Sequence, residues 1–174
     1  MSSRSKQGDR SRGQGLAEFA LVVPMLLLLL FGTIQVGITY GGYNGLINSV
    51  REAARYGSVC VGPVANCGTL TATHLIQGIQ TGVFGYKSGS QGARVTYSTY
   101  NTNSSGTPSW NTQITVTGCV VGVVFIPFVG NVLGWSSPSG VPLQSTEVFR
   151  VEGQPTTTAP TLPNPATYTN GTCP

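Results

Sequence analysis

Few side chains in this sequence could take part in chemistry, and the foremost is a carboxylate in apolar surroundings. Glu18 opens an apolar run that carries no further charge until Arg51. A charged side chain in a bilayer costs on the order of 2.5–3.5 kcal/mol at the midplane and less near the edge, so a glutamate placed there is a functional candidate. Gly13 stands five residues before it and Phe19 directly after it. The remaining inventory is thin. His74 is the one histidine, with no partner nearby in sequence, and reads as a surface or satisfied imidazole rather than a ligand or base. Cys60, Cys67, Cys119 and Cys173 form no C-x-x-C pair, so no zinc site of the usual spacing and no other metal site is expected. There is no G-x-S-x-G, no phosphate-binding glycine pattern and no cluster of carboxylates. The sequence therefore names no catalytic residue, implies no cofactor or small-molecule substrate, and does not read as an enzyme.

Glu18 must be held by the segment around it. Leu16 to Ile38 is mostly Leu, Val, Ile, Phe and Ala, and about 20 such residues cross a bilayer as a helix. Residues 1–13 carry Arg4, Lys6, Arg10 and Arg12 against Asp9, most of a net charge of +4. That leader lacks aliphatic residues after Met1 and is expected to be disordered. Its charge predicts a cytoplasmic N-terminus with the bulk of the chain exported. No basic stripe is interleaved with aromatics, which argues against nucleic acid as a partner. The apolar core is followed by poor matches to a small-x-small cleavage site, so the segment is expected to be kept as an anchor.

The helix is expected to continue past the membrane. Val36, Tyr40, Tyr43, Ile47, Val50 and Ala54 recur at three-or-four spacing, and Arg51 and Arg55 share another face. Gly57 is a plausible C-cap, which gives one helix over Leu16–Tyr56, roughly 60 Å long. Pro24 should kink or loosen it. Gly37, Gly41 and Gly45 make a small-residue face open to a second helix, or else a glycine-tolerant exposed surface.

Beyond lies a small domain. Charged residues make up only 8% of the chain, against roughly 25% in ordinary soluble domains, and Arg51, Glu52, Arg55, Lys87, Arg94, Glu147, Arg150 and Glu152 look structural or solvated. Leu70–Phe84 has the period of a short helix. Ala93–Tyr100 and Trp110–Thr117 alternate as an antiparallel hairpin with a long tip, and Val141–Glu152 alternates as a last strand. Cys119–Leu133 is almost wholly apolar but interrupted by Gly122, Pro127 and Gly130. It reads as a buried strand and an apolar loop near the membrane or on the long helix, with a second membrane helix as the alternative. Gly153–Pro174, rich in Thr and Pro, reads as an extended tail. In an exported segment the cysteines read as disulfides. Three pairings are open, Cys60–Cys67 and Cys119–Cys173 being favoured, with free buried thiols as the alternative. The fold class is α+β: a long N-terminal helix, transmembrane then amphipathic, packed on a small antiparallel sheet.

Gly13 followed by four residues, Glu18 and Phe19, ahead of a hydrophobic helix, resembles the processing site of type IV pilins of the Flp branch. The longer pattern RGQGLAEFALVVPMLLLLLFGTIQVG with NSVREAARYG is similar to the TadE-like family of the tight-adherence pilus system. The resemblance implies a structural pseudopilin or minor pilin, major Flp subunits being much shorter. It implies cleavage after Gly13 by a prepilin peptidase, with Gln14 as the first mature residue, and Glu18 as a register residue in assembly. It implies partners among other pilins and inner-membrane assembly proteins, and a single-pass inner-membrane location that can pass into an extracellular pilus. The domain boundaries on this reading are a leader 1–13, a helix 14–57, an exported domain 58–152 and a tail 153–174. An uncleaved, membrane-anchored adhesin or scaffold is the alternative.

Overall fold

The computed structural model describes residues 9–60, 66–102, 106–107, 109–125, 140–152, 161–162 and 166–169. A single helix, α1 (Asp9–Val59), runs from the basic leader to the first cysteine. At 1.5 Å per residue its 51 residues extend about 76 Å. It begins inside the segment expected to be disordered, because the helix-forming Leu/Ala run after it is propagated backwards at little cost once nucleated. Pro24 lies within it and the helix continues on both sides. The proline cannot donate to the Ala20 carbonyl, one turn earlier.

The remaining elements follow in chain order as α2 (Cys67–Gly82), β1 (Gly92–Asn101), β2 (Trp110–Gly122), β3 (Val141–Arg150) and β4 (Ala166–Thr169). They form a four-stranded sheet of order β3-β2-β1-β4, with every neighbouring pair antiparallel. The hairpin read from the sequence is β1–β2, with Val95 opposite Val116 and Tyr97 opposite Ile114. The expected last strand is β3, whose Val148 is exposed while Val151, just beyond it, is buried. The C-terminal segment read as an extended tail contributes β4, which pairs with β1 at Val95 through Gly92. A four-residue strand between a proline and an asparagine in the sequence offers no periodicity to detect.

Helices cover one face of the sheet. The second half of α1 lies over β2 and β3, and α2 lies over β1 and β4. Leu46, Val50, Leu75, Ile79, Ile114, Val116 and Val120 close the core between the layers. The opposite face is polar, as antiparallel sheets with one solvated side require. There Thr117 and Thr146 share a hydrogen bond of 3.0 Å between their hydroxyls.

The stripe that α1 turns to this core differs from the expected one. Val50 and Ala54 are buried, but Val36 and Tyr40 are exposed, and Gln35, Gly42, Leu46, Ser49, Ala53 and Gly57 take the inward positions. Small and polar residues line it because α2 and the sheet approach the helix backbone closely. Gly57 is not a C-cap. It sits within α1, which ends at Val59, and a Cβ there would overlap Ile114 Cδ1 and lie 2.8 Å from Thr71 Oγ1.

Candidate functional site

Gly13, Gln14, Glu18 and Phe19 all lie on α1 and all are exposed. Gly13 has open space around it. Glu18 Oε1 accepts a hydrogen bond from Gln14 Nε2 at 3.3 Å, so one helical turn brings the carboxylate and residue 14 together. The span that follows presents its apolar side chains outward: Leu16 is 70% exposed, Leu21 78% and Met25 69%. An 18-residue window of this helix has a mean hydropathy of 2.4 and is only 6% buried, whereas a core helix of similar composition would be covered. Among the described residues this is the one helix long and apolar enough to cross a membrane.

On the face that meets the domain the free apolar length stops at Gln35, which is 1% exposed, while Val36 and Tyr40 continue it on the outer face. Leu16–Ile34 spans about 28 Å, close to the roughly 30 Å hydrocarbon core of a bilayer. At Gln35 the carboxamide clamps the strand-like stretch after β2. Its Oε1 accepts from the Phe125 N–H at 3.0 Å, and its Nε2 donates to the Val123 carbonyl at 3.0 Å. Thr39 Oγ1 donates to the Gln35 carbonyl at 3.0 Å. Gln35→Leu removes both partners from Val123 and Phe125. Amide exchange at Phe125 is expected to accelerate about tenfold or more, the equivalent of ~1.4 kcal/mol. Unchanged protection by hydrogen-exchange mass spectrometry would contradict the clamp. Residues 119–122 belong to β2 and 123–125 lie on α1, so the first part of the apolar Cys119–Leu133 segment is not a second membrane helix. Residues 126–133 lie outside the described residues.

The glycine series divides. A Cβ at Gly41 would run into the Phe84 ring and one at Gly45 into the Gly82 carbonyl, while Gly37 has nothing within 4 Å. Gly41 and Gly45 thus admit the C-terminal end of α2 from the same chain, and their close-packing face is already occupied. Gly37 remains open.

Cys60 and Cys67 form the favoured disulfide, with Cα atoms 5.9 Å apart. It ties the end of α1 to the start of α2 and, by loop-closure entropy, contributes about 2–3 kcal/mol. Cys119 is also disulfide-bonded, and Cys173 lies outside the described residues. His74 stacks on Tyr56, with ring centroids 4.8 Å apart and planes 4° from parallel. Both line an open depression of about 480 Å³ with Glu52, Arg55, Val59 and Cys60. Among the described residues no group of His, Cys, Asp or Glu is placed to hold a metal ion. Arg51 pairs with Glu147 at 2.8 Å, joining α1 to β3. The guanidinium is largely exposed, so the pair is worth under about 1 kcal/mol. Burial pushes the Tyr97 phenol above its ordinary value, the neighbouring Thr71 hydroxyl acting in the opposite direction.

These features define a class: a small α+β domain carried on one long helix whose first half is a candidate membrane anchor. Residues 13–55 match the family model of TadE-like proteins. The matched stretch contains the Gly13–Glu18–Phe19 motif, the apolar span, the Gln35 clamp and the outer half of α1. It ends before α2 and the sheet, so less than a third of the chain is matched. Searches among curated proteins and among solved structures returned no match. Gln35 is the residue sequence reasoning missed, because a lone glutamine at the end of an apolar run carries no signal until its distant partners are known.

Proposed function

We propose that this chain is a structural pilin-like subunit of a tight-adherence pilus system, in the role of a pseudopilin or minor pilin. The observation that carries this reading is the TadE-like match over residues 13–55, and it is supported by an exposed Gly13, Glu18 and Phe19 ahead of a helix whose apolar side chains face outward. On this reading α1 is a single-pass inner-membrane anchor with its basic N-terminus cytoplasmic and the sheet domain exported. The units are then a leader 1–13, a helix 14–57, a domain 58–152 and a C-terminal segment 153–174.

Cleavage after Gly13 fits the local chemistry. An exposed glycine near the start of α1 is easily unwound, since it has the weakest helix propensity after proline, and it offers a peptidase a backbone without side-chain obstruction. The cut leaves an amine on Gln14. Glu18, already hydrogen-bonded to the Gln14 side chain, is one turn from that amine. A pair between them, within one chain or between neighbours, offsets two desolvation costs in lipid and sets axial register. The partners are a prepilin peptidase, other pilins and the inner-membrane assembly proteins.

Intact mass and N-terminal sequencing of the protein from cells containing the peptidase are expected to show the loss of residues 1–13. Retention of the leader in such cells, together with absence of the protein from sheared filaments, would instead favour an uncleaved anchored adhesin or scaffold.

A further inference from the structure

The end of the sheet domain nearest the apolar span is aromatic. Phe84 is 56% exposed, Phe125 59% and Tyr40 65%. Contacts with α1 hold the two phenylalanines along the short stretch from Gln35 to Gly41, on which Tyr40 itself lies. The Phe84 ring lies on Gly41 and the backbone of Gly85 on Ile38. The Phe125 N–H is bound to Gln35. The segments that carry the two phenylalanines are joined to each other, Val123 N–H donating to the Gly85 carbonyl at 2.7 Å and Lys87 N–H to the Val121 carbonyl at 2.7 Å. Phe125 is thus fixed beside the last residue of the lipid-length span. Phe84 and Tyr40 stand about 8–9 Å further along the helix axis, at the outer edge of a headgroup layer roughly 5–8 Å deep on each side.

We propose that this collar docks on the bilayer surface, seating the sheet domain directly on the membrane with Phe84, Phe125 and Tyr40 at headgroup depth. The proposal rests on the reading of α1 as a membrane anchor. The occupant follows from continuity: the outward-facing apolar surface of Leu16–Ile34 runs without interruption into the collar. A tyrosine such as Tyr40, apolar at one edge and polar at the other, concentrates at this level of a bilayer, and the two phenylalanines add apolar area of the kind that interfacial surfaces bury at the headgroup boundary. Lys87, exposed and three residues from Phe84, adds a cation suited to lipid phosphate. Gln35 gives the arrangement its rigidity, because the domain cannot lift from the helix without breaking the clamp at Val123 and Phe125.

The test uses the full chain in phosphatidylcholine vesicles doped with lipids brominated along the acyl chain. Trp110 and Trp135 are replaced by Phe, and one tryptophan is introduced at a time through Phe84→Trp, Phe125→Trp or Phe31→Trp. A fourth protein keeps Trp110 and replaces only Trp135. Trp110 begins β2, about 40 Å along the strand from the collar end. Phe125→Trp is expected to lose about half its emission or more to shallow bromines, and Phe84→Trp, about 9 Å further out, a smaller but measurable part. Trp110 should lose none, and Phe31→Trp, about 6 Å inside the Gln35 end of the span, should be quenched by bromines on the outer half of the acyl chain. Phe31→Trp quenched while both collar positions behave like Trp110 would overturn the collar alone. An unquenched Phe31→Trp would overturn the anchor and the collar together. A blue shift at the collar that grows with protein concentration, without bromine quenching, would assign this face to a second copy and also overturn the proposal.

Discussion

Gly57→Val is expected to cost the sheet domain about 3 kcal/mol, the upper end of what overpacking does to a well-filled core. The residue sits where α1, α2 and β2 meet. A Cβ there falls on Ile114 Cδ1 and 3.0 Å or less from two Thr71 side-chain atoms. Ile114 and Thr71 are both 0% exposed, so neither can swing away, and relief requires moving the helix off the sheet. Replacing a helical glycine recovers only a few tenths of a kcal/mol when the new residue is β-branched, too little to offset the collision. A thermal melt of the detergent-solubilised protein should fall by about 15 °C, at roughly 4–8 °C per kcal/mol for a domain of this size. Gly37→Val is the control. It lies on the same helix with nothing within 4 Å, and its melt should move by no more than about 0.5 kcal/mol allows. Equal melting of the two variants would mean that α1 does not approach the sheet as described.

Glu18→Ala is expected to leave membrane insertion intact and to reduce piliation about tenfold or more. Insertion should persist because removing a carboxylate from an apolar helix lowers its cost of entering lipid. Assembly should suffer because an amine left unpaired in lipid costs several kcal/mol, and each 1.4 kcal/mol is tenfold in an equilibrium. Glu18→Gln separates charge from shape: it keeps an acceptor near Gln14 but no anion, and should assemble as poorly as the alanine variant. Filament counts and the amount of this chain in sheared filaments provide the readout, with membrane fractionation as the insertion control. Normal filaments from Glu18→Ala would remove the register role from this residue, whether or not the leader is cleaved.

Most of the helical and strand elements were legible in the sequence for simple reasons. A run such as Leu26–Phe31 has no soluble use, and Val95–Tyr97 against Ile114–Val116 alternates with a period of two. The outer half of α1 was less legible. The expected stripe of large apolar residues placed Val36 and Tyr40 inward, whereas the backbone-to-backbone approach of α2 selected Gly42, Ser49 and Gly57 instead. Close approach inverts the usual pattern, because the residue that permits it is the one with least side chain to detect. The role of Gly41 and Gly45 was obscured for the same reason. A small-residue face announces that something packs there, and only the coordinates show that Phe84 and Gly82 of the same chain do so.

The sequence by itself determined the candidate anchor: its apolar composition, and the glycine, glutamate and aromatic ahead of it. These are local properties, set by residue type and spacing along one helix, which no distant contact can alter. Where the anchor ends was decided only by the tertiary structure. Gln35 lies in a stretch that reads as uninterrupted helix, and it becomes a boundary because Val123 and Phe125, almost ninety residues later, come back to take its carboxamide. A hydrogen bond between partners so far apart in sequence exists only once the sheet has folded onto the helix.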